Sequence, residues 1–180
     1  MIIIMGMPGA GKTVQSQLLQ EKLGYHWLST GQMLRETEDT EVLEVVASGA
    51  LVNDEMVIRI VEQRLKKEGH DNTFLLDGFP RNTDQAQWLI EHGEKIGKHI
   101  QAILFLDVSL ETSQERLGGR GRADDTDDAL AKRREEQKKL EPMVDYMKSQ
   151  GIAVEVIDAN RSVEEVFASI QAALGRHIEK

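Results

Sequence analysis

The chain is 180 residues long, the size of one domain with a substantial core. Its 40% apolar and 29% charged content suits an ordinary globular protein, and its net charge of −9 argues against duplex nucleic acid or an anionic membrane as partner. No cysteine is present, which excludes disulfides and cysteine-ligated zinc, and none of the five histidines has another four residues away, so a reducing cytoplasmic setting without zinc is expected.

The first predicted element is a buried strand, Ile2-Ile3-Ile4-Met5. It breaks at Gly6 without a basic leader, so it does not read as a signal peptide, and no apolar run in the chain approaches membrane-spanning length. Gly6-Met7-Pro8-Gly9-Ala10-Gly11-Lys12-Thr13 follows and spells G-x-x-x-x-G-K-T. Val14, Leu18, Leu19 and Leu23 then fall at helical spacing up to a glycine stop at Gly24. Strand, glycine-rich turn, helix is the context a phosphate-cradling loop requires. Gly9, Ala10 and Gly11 let backbone N–H groups face phosphate oxygens, and the helix N-terminus adds partial positive charge. Lys12 brings a full charge to the β- and γ-phosphates, and the Thr13 hydroxyl is placed to reach Mg²⁺. The sequence therefore predicts a nucleoside triphosphate ligand.

Tyr25 to Leu28 reads as a short strand, and Ser29 or Thr30 as the N-cap of a helix through Arg35. A second short helix is expected from Thr40 to Ala47. Asn53 or Asp54 caps the next, whose apolar stripe is Val57, Ile60, Val61 and Leu65. Phe74-Leu75-Leu76-Asp77 is a buried strand ending in an acid, followed by Gly78-Phe79-Pro80-Arg81 and a helix with Trp88 and Leu89 on its inner side. Ala102 to Leu106 is the next strand, and Leu110 to Leu117 the next helix. Gly118 to Asp125 is glycine-rich, charged and poor in apolar residues, which predicts a loop. A charged helix from about Asp127 with a break near Pro142, a strand Ile152 to Ile157 and a helix Val163 to Leu174 complete the chain. Strands alternating with helices predict an α/β fold, a parallel five-stranded sheet covered on both faces, with ligands at the carboxyl ends of its strands.

Asp77 ends a strand beside the loop, where an acid holds Mg²⁺ directly or through water; the competing role is a cap on the following turn. Arg35, Arg81, Arg116, Arg120, Arg122 and Arg133 form a second group. Phosphoryl transfer relocates charge on phosphate oxygens, and arginine suits it because its planar fork binds phosphate bidentately and stays charged. Any one of them alone reads as a solvated surface residue. Arg120 and Arg122, paired in a glycine loop before Asp124 and Asp125, read as functional. Lys132 to Glu136 reads as a solvated helix face with ion pairs.

Together these segments resemble the nucleoside monophosphate kinases, and adenylate kinases most closely. The resemblance rests on Gly6 to Lys12, Ser29-Thr30-Gly31-Gln32-Met33-Leu34-Arg35, Gly49 to Asp54, Leu76-Asp77-Gly78-Phe79-Pro80-Arg81, Glu115 to Arg120 and Gly121 to Asp125, and it covers nearly the whole chain. It implies ATP and AMP as substrates, ADP as product, Mg²⁺ as cofactor and a monomer. It implies a three-layer P-loop kinase core (1–28, 59–117 and 127–180), a small helical insertion over the monophosphate (29–58) and a short lid over ATP (118–126). By that resemblance Gly9 to Val14, Arg116, Arg120 and Arg161 meet ATP. Thr30, Arg35, Ala50, Leu51, Val52, Gly78, Phe79, Pro80, Arg81, Gln85, Arg122 and Arg133 meet AMP. Lys12, Arg81, Arg120, Arg122 and Arg133 act on the transferring group.

Gln85, four residues after Arg81, offers one amide donor and one acceptor that match adenine N1 and N6. Members that take uracil or cytosine have asparagine there and alanine for Thr30, so both residues favour AMP. Asn82 and Asp84 echo the pyrimidine-type string, which keeps UMP or CMP as the alternative. Other rivals are a nucleotide-binding regulatory protein with impaired transfer and a partner-coupled ATPase. The chain departs from the family pattern at Thr13-Val14, where Gly-Thr is usual, at Gln32, where aspartate is usual, near Gln137, where a tyrosine is frequent, and in a lid with only Gly121 between Arg120 and Arg122. So short a lid predicts some ATP hydrolysis as a side reaction.

Overall fold

The computed structural model describes residues 1–68, 74–118 and 140–177. Over those residues it contains β1 (Ile2–Gly6), α1 (Lys12–Leu23), β2 (His26–Ser29), α2 (Thr30–Glu36), α3 (Thr40–Ala47), α4 (Asp54–Lys67), β3 (Phe74–Asp77), α5 (Thr83–Lys95), β4 (Ala102–Asp107), α6 (Leu110–Gly118), α7 (Leu140–Ser149), β5 (Ala153–Asp158) and α8 (Val163–His177). Of the lid expected over 118–126 only Gly118 is described; the rest of it, with Arg120, Arg122, Asp124 and Asp125, and also Arg133 and the charged helix expected from Asp127, up to position 139, lie outside the described residues.

The five strands form one parallel sheet in the order β2-β3-β1-β4-β5. Because side chains alternate along a strand, β1 feeds two cores at once. Ile2 and Ile4 join Leu75 and Leu104 on one face, under Leu19 of α1 and Phe167 and Ile170 of α8. Ile3 and Met5 join Leu76 and Ile103 on the other, under Val57, Val61 and Leu65 of α4, Leu89 of α5 and Met143 and Met147 of α7. Each such fully buried side chain stabilises by about 1.5–3 kcal/mol. The near-continuous apolar runs of β1, β3 and β4 are thus the signature of strands covered on both faces, and the three-layer architecture follows.

A third, smaller cluster joins Val42 of α3 to Met56 and Ile60 of α4, with Met33, Leu34 and Val52 packed against it. It lies in the stretch expected as the monophosphate insertion, whose expected boundary at 58/59 falls inside α4. Asn53 is the cap of α4: its Oδ1 accepts the Met56 N–H at 2.9 Å. Asp54 and Glu55 lie in the first turn and Arg64, Lys66 and Lys67 in the last, which complements the helix dipole at both ends.

Helix α1 departs from its expected pattern. Val14 and Leu23 are both 42% exposed, and the buried positions are Gln15, Ser16 and Leu19. The helix begins at Lys12, earlier than its apolar residues suggest, and the Gln15 amide is drawn inward to donate to the Val163 carbonyl of α8 at 2.9 Å. Anchoring the phosphate loop, not apolar spacing, sets how this helix faces the sheet. No helix among the described residues is long and apolar enough to cross a membrane.

Candidate active site

The parallel register puts Ile4 of β1 beside Asp77 of β3, so the loop after β1 and the turn after β3 leave the sheet side by side at its carboxyl edge. Between them is a cavity of about 160 Å³ lined by Gly6, Pro8 and Lys12 on one wall and Gly78, Phe79, Pro80 and Arg81 on the other, with Leu140 at its rim. A larger cleft of about 500 Å³, between β2, α2 and α4, contains none of the residues expected to meet ATP, AMP or metal, though Gln32, one of the departures from the family pattern, lines it.

The loop is held in shape by its surroundings. Gly9 has φ +82, and a Cβ there would stand 2.7 Å from the Ser113 carbonyl oxygen of α6, so only glycine fits. Ser113 is buried and its hydroxyl donates to the Pro8 carbonyl at 2.7 Å. The Gly11 cap has no side-chain hydrogen bond and the first turn of α1 has no acid, which suits this helix end to an anion. Lys12 Nζ curls over the loop mouth, donating to the carbonyls of Gly6 (2.7 Å) and Met7 (3.0 Å). Ala10 is buried, whereas Thr13 is half-buried in the first turn of α1.

Asp77 is only 8% exposed. Burial pushes its carboxyl above the usual range, against the opposing pull of Lys12 and Arg81. The Trp27 indole N–H adds a weak pull in the same direction as the cations, yet Trp27 Nε1 reaches no hydrogen-bond geometry with any partner. A buried carboxylate whose charge is under-compensated is a fitting seat for a cation. Mg²⁺ commonly takes one or two protein oxygens and completes its shell with water and phosphate oxygens, so the Asp77 carboxylate and the Thr13 hydroxyl in the first turn of α1 are the protein oxygens that could serve it. Among the described residues no cluster of three or more acidic or histidine side chains could hold a metal alone.

The residues expected on the monophosphate side gather around Gly78. The place a Cβ would take there is bounded by Arg81 Nη2 at 3.5 Å and by Thr30 Cβ and Oγ1 at 3.6 and 3.8 Å. Arg81 Nε donates to the Gly78 carbonyl at 2.9 Å. Thr30 is 1% exposed and its hydroxyl has no hydrogen-bond partner, an unsatisfied group of the kind binding sites hold for a ligand. Arg35, in the last turn of α2, reaches back over Gly31, its Nη1 3.4 Å from where a Cβ would be. Ala50 and Leu51 are exposed, Leu51 at 72%, and Val52 is half-buried between α3 and α4. Phe79 and Pro80 are buried beneath the turn. Gln85 is buried on α5 with both ends of its amide bonded within the protein: Oε1 accepts the Arg81 N–H and Nε2 donates to Asp54, each at 2.7 Å.

On the opposite side Arg116 spans three backbone carbonyls, with Nη1 donating to Ala159 (2.8 Å) and Gly9 (3.4 Å) and Nη2 to Arg161 (3.2 Å). These bonds use the edge of the guanidinium, whereas stacking on a base uses its face. Arg161 is exposed and tied to the Asp158 carboxylate at 3.3 Å and to Ser169 Oγ at 2.9 Å. Val14 and Val163 expose apolar surface at the starts of α1 and α8.

The structure thus brings Lys12 and Arg81 to one cavity, with the Asp77 carboxylate within electrostatic reach of both, and Thr30 to Gly78, and it places Arg116 behind the phosphate loop. Sequence reasoning missed Ser113, and it read Asp54 as a candidate cap and part of a motif without its bonds to Asn82 and Gln85. A serine in mid-helix and an acid in a first turn are common, and nothing in their spacing announces a partner 105 or 31 residues away.

Comparison with known proteins gives this geometry a lineage. The family model described as adenylate kinase matches residues 4–152. The chain is 37% identical to the adenylate kinase of Mycobacterium tuberculosis, covering 97% of this chain and 99% of that protein. It is 40% identical to the adenylate kinase of Prochlorococcus marinus, with 97% and 96% covered, and 39% identical to that of Mycobacteroides abscessus, with 97% and 99% covered. The matched stretch starts inside β1 and runs past the end of α7. Both walls of the cavity therefore fall within it, and the chain belongs to the adenylate kinase family.

Proposed function

We propose that this protein moves the terminal phosphoryl group of Mg-ATP directly to AMP, giving two ADP, with no phosphoenzyme. The observation that carries the reading is the cavity whose two walls are the phosphate loop with Lys12 and the Gly78–Arg81 turn, which lets a donor and an acceptor phosphate meet between them. Its described lining offers no hydroxyl, carboxylate or imidazole as an intermediate acceptor. Transfer there is a matter of positioning and charge neutralisation.

In this reading Gly9 to Val14 cradle the triphosphate, Lys12 leaves its loop carbonyls for the transferring phosphate, and Arg116 and Arg161 flank the ATP base. Thr30, Arg35, Ala50 to Val52, Gly78 to Arg81 and Gln85 hold AMP. Arg81 acts on the transferring group together with Arg120, Arg122 and Arg133, and one such arginine is worth ~10³–10⁵ in rate. Thr13 and Asp77 would hold Mg²⁺, directly or through water, and the ion would neutralise charge on the ATP phosphates. The enzyme acts as a cytoplasmic monomer without zinc; the cysteine-free sequence supports the setting, and light scattering tests the mass.

Asn82, the residue that echoes pyrimidine-type relatives, has a structural occupation here: it caps α5, its Oδ1 accepting the Gln85 N–H at 2.9 Å. The deciding experiment offers AMP, CMP, UMP and GMP separately with Mg-ATP, each against a control without acceptor. ADP above control with AMP alone is expected, and the control itself reads the hydrolysis expected of a short lid. Transfer to CMP or UMP in place of AMP would refute the base assignment, and transfer to none would refute the enzyme.

A further inference from the structure

The Gln85 amide is held by two partners whose chemistry is one-sided. A backbone N–H can only donate, so the Arg81 N–H fixes Oε1 as the end facing it, at 2.7 Å. A carboxylate can only accept, so Asp54 Oδ1 fixes Nε2 as the end facing it, at 2.7 Å. The second carboxylate oxygen, Asp54 Oδ2, accepts Asn82 Nδ2 at 2.7 Å, and Asn82 Oδ1 in turn accepts the Gln85 backbone N–H at 2.9 Å. The ring is closed: Asp54 in the first turn of α4 cannot shift without uncovering donors of α5, and Gln85, 2% exposed, cannot turn over without losing both of its partners.

We infer that Asp54 is a positioning residue that sets base specificity by fixing which end of the Gln85 amide donates, and so selects adenine over 6-oxopurines. Each amide end keeps one bonding position beyond those already used: a second lone pair on Oε1 and a second hydrogen on Nε2. Adenine offers an N6–H donor and an N1 acceptor, which match Oε1 and Nε2 as held. Hypoxanthine and guanine offer the reverse, an O6 acceptor and an N1–H donor. Serving them would require the amide to rotate by half a turn. Oε1 would then face the Asp54 carboxylate, acceptor against acceptor, and Nε2 would face the Arg81 N–H, donor against donor. Asp54 has no need to touch the base to exclude it.

The inference rests on the reading of Gln85 as the adenine reader, and the experiment separates the two. The measurement is kcat/KM with AMP and with IMP for the parent enzyme, Asp54→Asn, Asp54→Ala, Gln85→Ala and the Asp54→Ala/Gln85→Ala pair. Asp54→Asn keeps the size of the side chain and can donate as well as accept, so it releases the amide without opening a gap between α4 and α5. Both Asp54 variants are expected to raise the IMP-to-AMP ratio by about tenfold, the equivalent of one hydrogen bond. Gln85→Ala is expected to erase the preference, with Asp54→Ala adding nothing to it. A purely structural Asp54 would lower both acceptors alike and leave the ratio at its parent value, which would overturn the inference alone. An unchanged ratio in Gln85→Ala would overturn the adenine-reader assignment and the inference with it.

Discussion

Replacing Thr30 with valine should make the protein more stable and a poorer binder of AMP. The swap preserves shape and exchanges a buried hydroxyl for a methyl group. In the unfolded chain that hydroxyl is hydrated; in the fold it is 1% exposed and has no hydrogen-bond partner. Burying an unpaired polar group costs about 1–3 kcal/mol, and a methyl group in its place carries no such cost. Threonine and valine have similar helix propensities, so the position of residue 30 at the start of α2 does not mask the effect. Taking the lower end, about 1 kcal/mol, the ligand-free Tm should rise by about 2–4 °C for a chain of this size. AMP would lose one hydrogen bond, about 0.5–1.5 kcal/mol, so its dissociation constant should rise about two- to twelvefold while that of ATP holds. Thermal melts with and without AMP, and separate binding titrations of AMP alone and of ATP alone, measure both halves. A lower ligand-free Tm would show that the hydroxyl is satisfied in the folded protein. A raised Tm with unchanged AMP binding would show that the orphan hydroxyl does not serve the acceptor.

Asp77→Asn should also trade activity for stability, with a pH signature. Burial raises the Asp77 carboxyl in the fold, so between its unfolded pKa (about 3.9) and its higher folded one the native state holds the extra proton; stability falls as pH rises through that window, and the penalty persists at neutral pH. The variant should lose Mg-dependent transfer yet gain Tm over the parent as pH rises from 4 to 7, and a Tm difference independent of pH would refute the cause given. Ser113→Ala removes the donor to the Pro8 carbonyl, for about 1 kcal/mol and a Tm loss of about 2–4 °C. Its kinetic loss should fall on the KM for ATP, and an equal rise in both KM values would show that the hydroxyl supports the fold and not the loop.

The inner strands could be read from the sequence because burial on both faces leaves a continuous apolar run, as in Ile2 to Met5 of β1. Two helix starts, those of α2 and α4, were legible from their capping side chains, while the caps Asp39 of α3 and Asn82 of α5 went unread. Ser29 accepts the Gln32 N–H and Asn53 the Met56 N–H, each a local bond between residues three apart. The phosphate loop was legible because its motif is a backbone shape written in glycines. Helix α1 misled because its burial is fixed by Gln15 reaching Val163, a contact 148 residues away in sequence. The same limit hid the bonds of Asp54 and Ser113. Gln85 was marked as a base reader, but sequence could not show that its amide is already bonded at both ends, because one of those partners comes from another helix.

Helix α4 has a mechanical consequence. Its Val57, Val61 and Leu65 side is clamped in the main core, while Met56 and Ile60 are clamped in the small cluster with Val42, so one rigid rod is gripped by two bodies. At about 1.5 Å per residue its 14 residues span about 21 Å, and a tilt of about 10° at the sheet end sweeps the Asp54 end through about 3.5 Å. That stroke exceeds the 2.7 Å reach of the bonds from Asp54 to Asn82 and Gln85. A tilt of that size would therefore undo the whole Asp54 latch, so the two grips on the rod couple the main core to the Gln85 end mechanically.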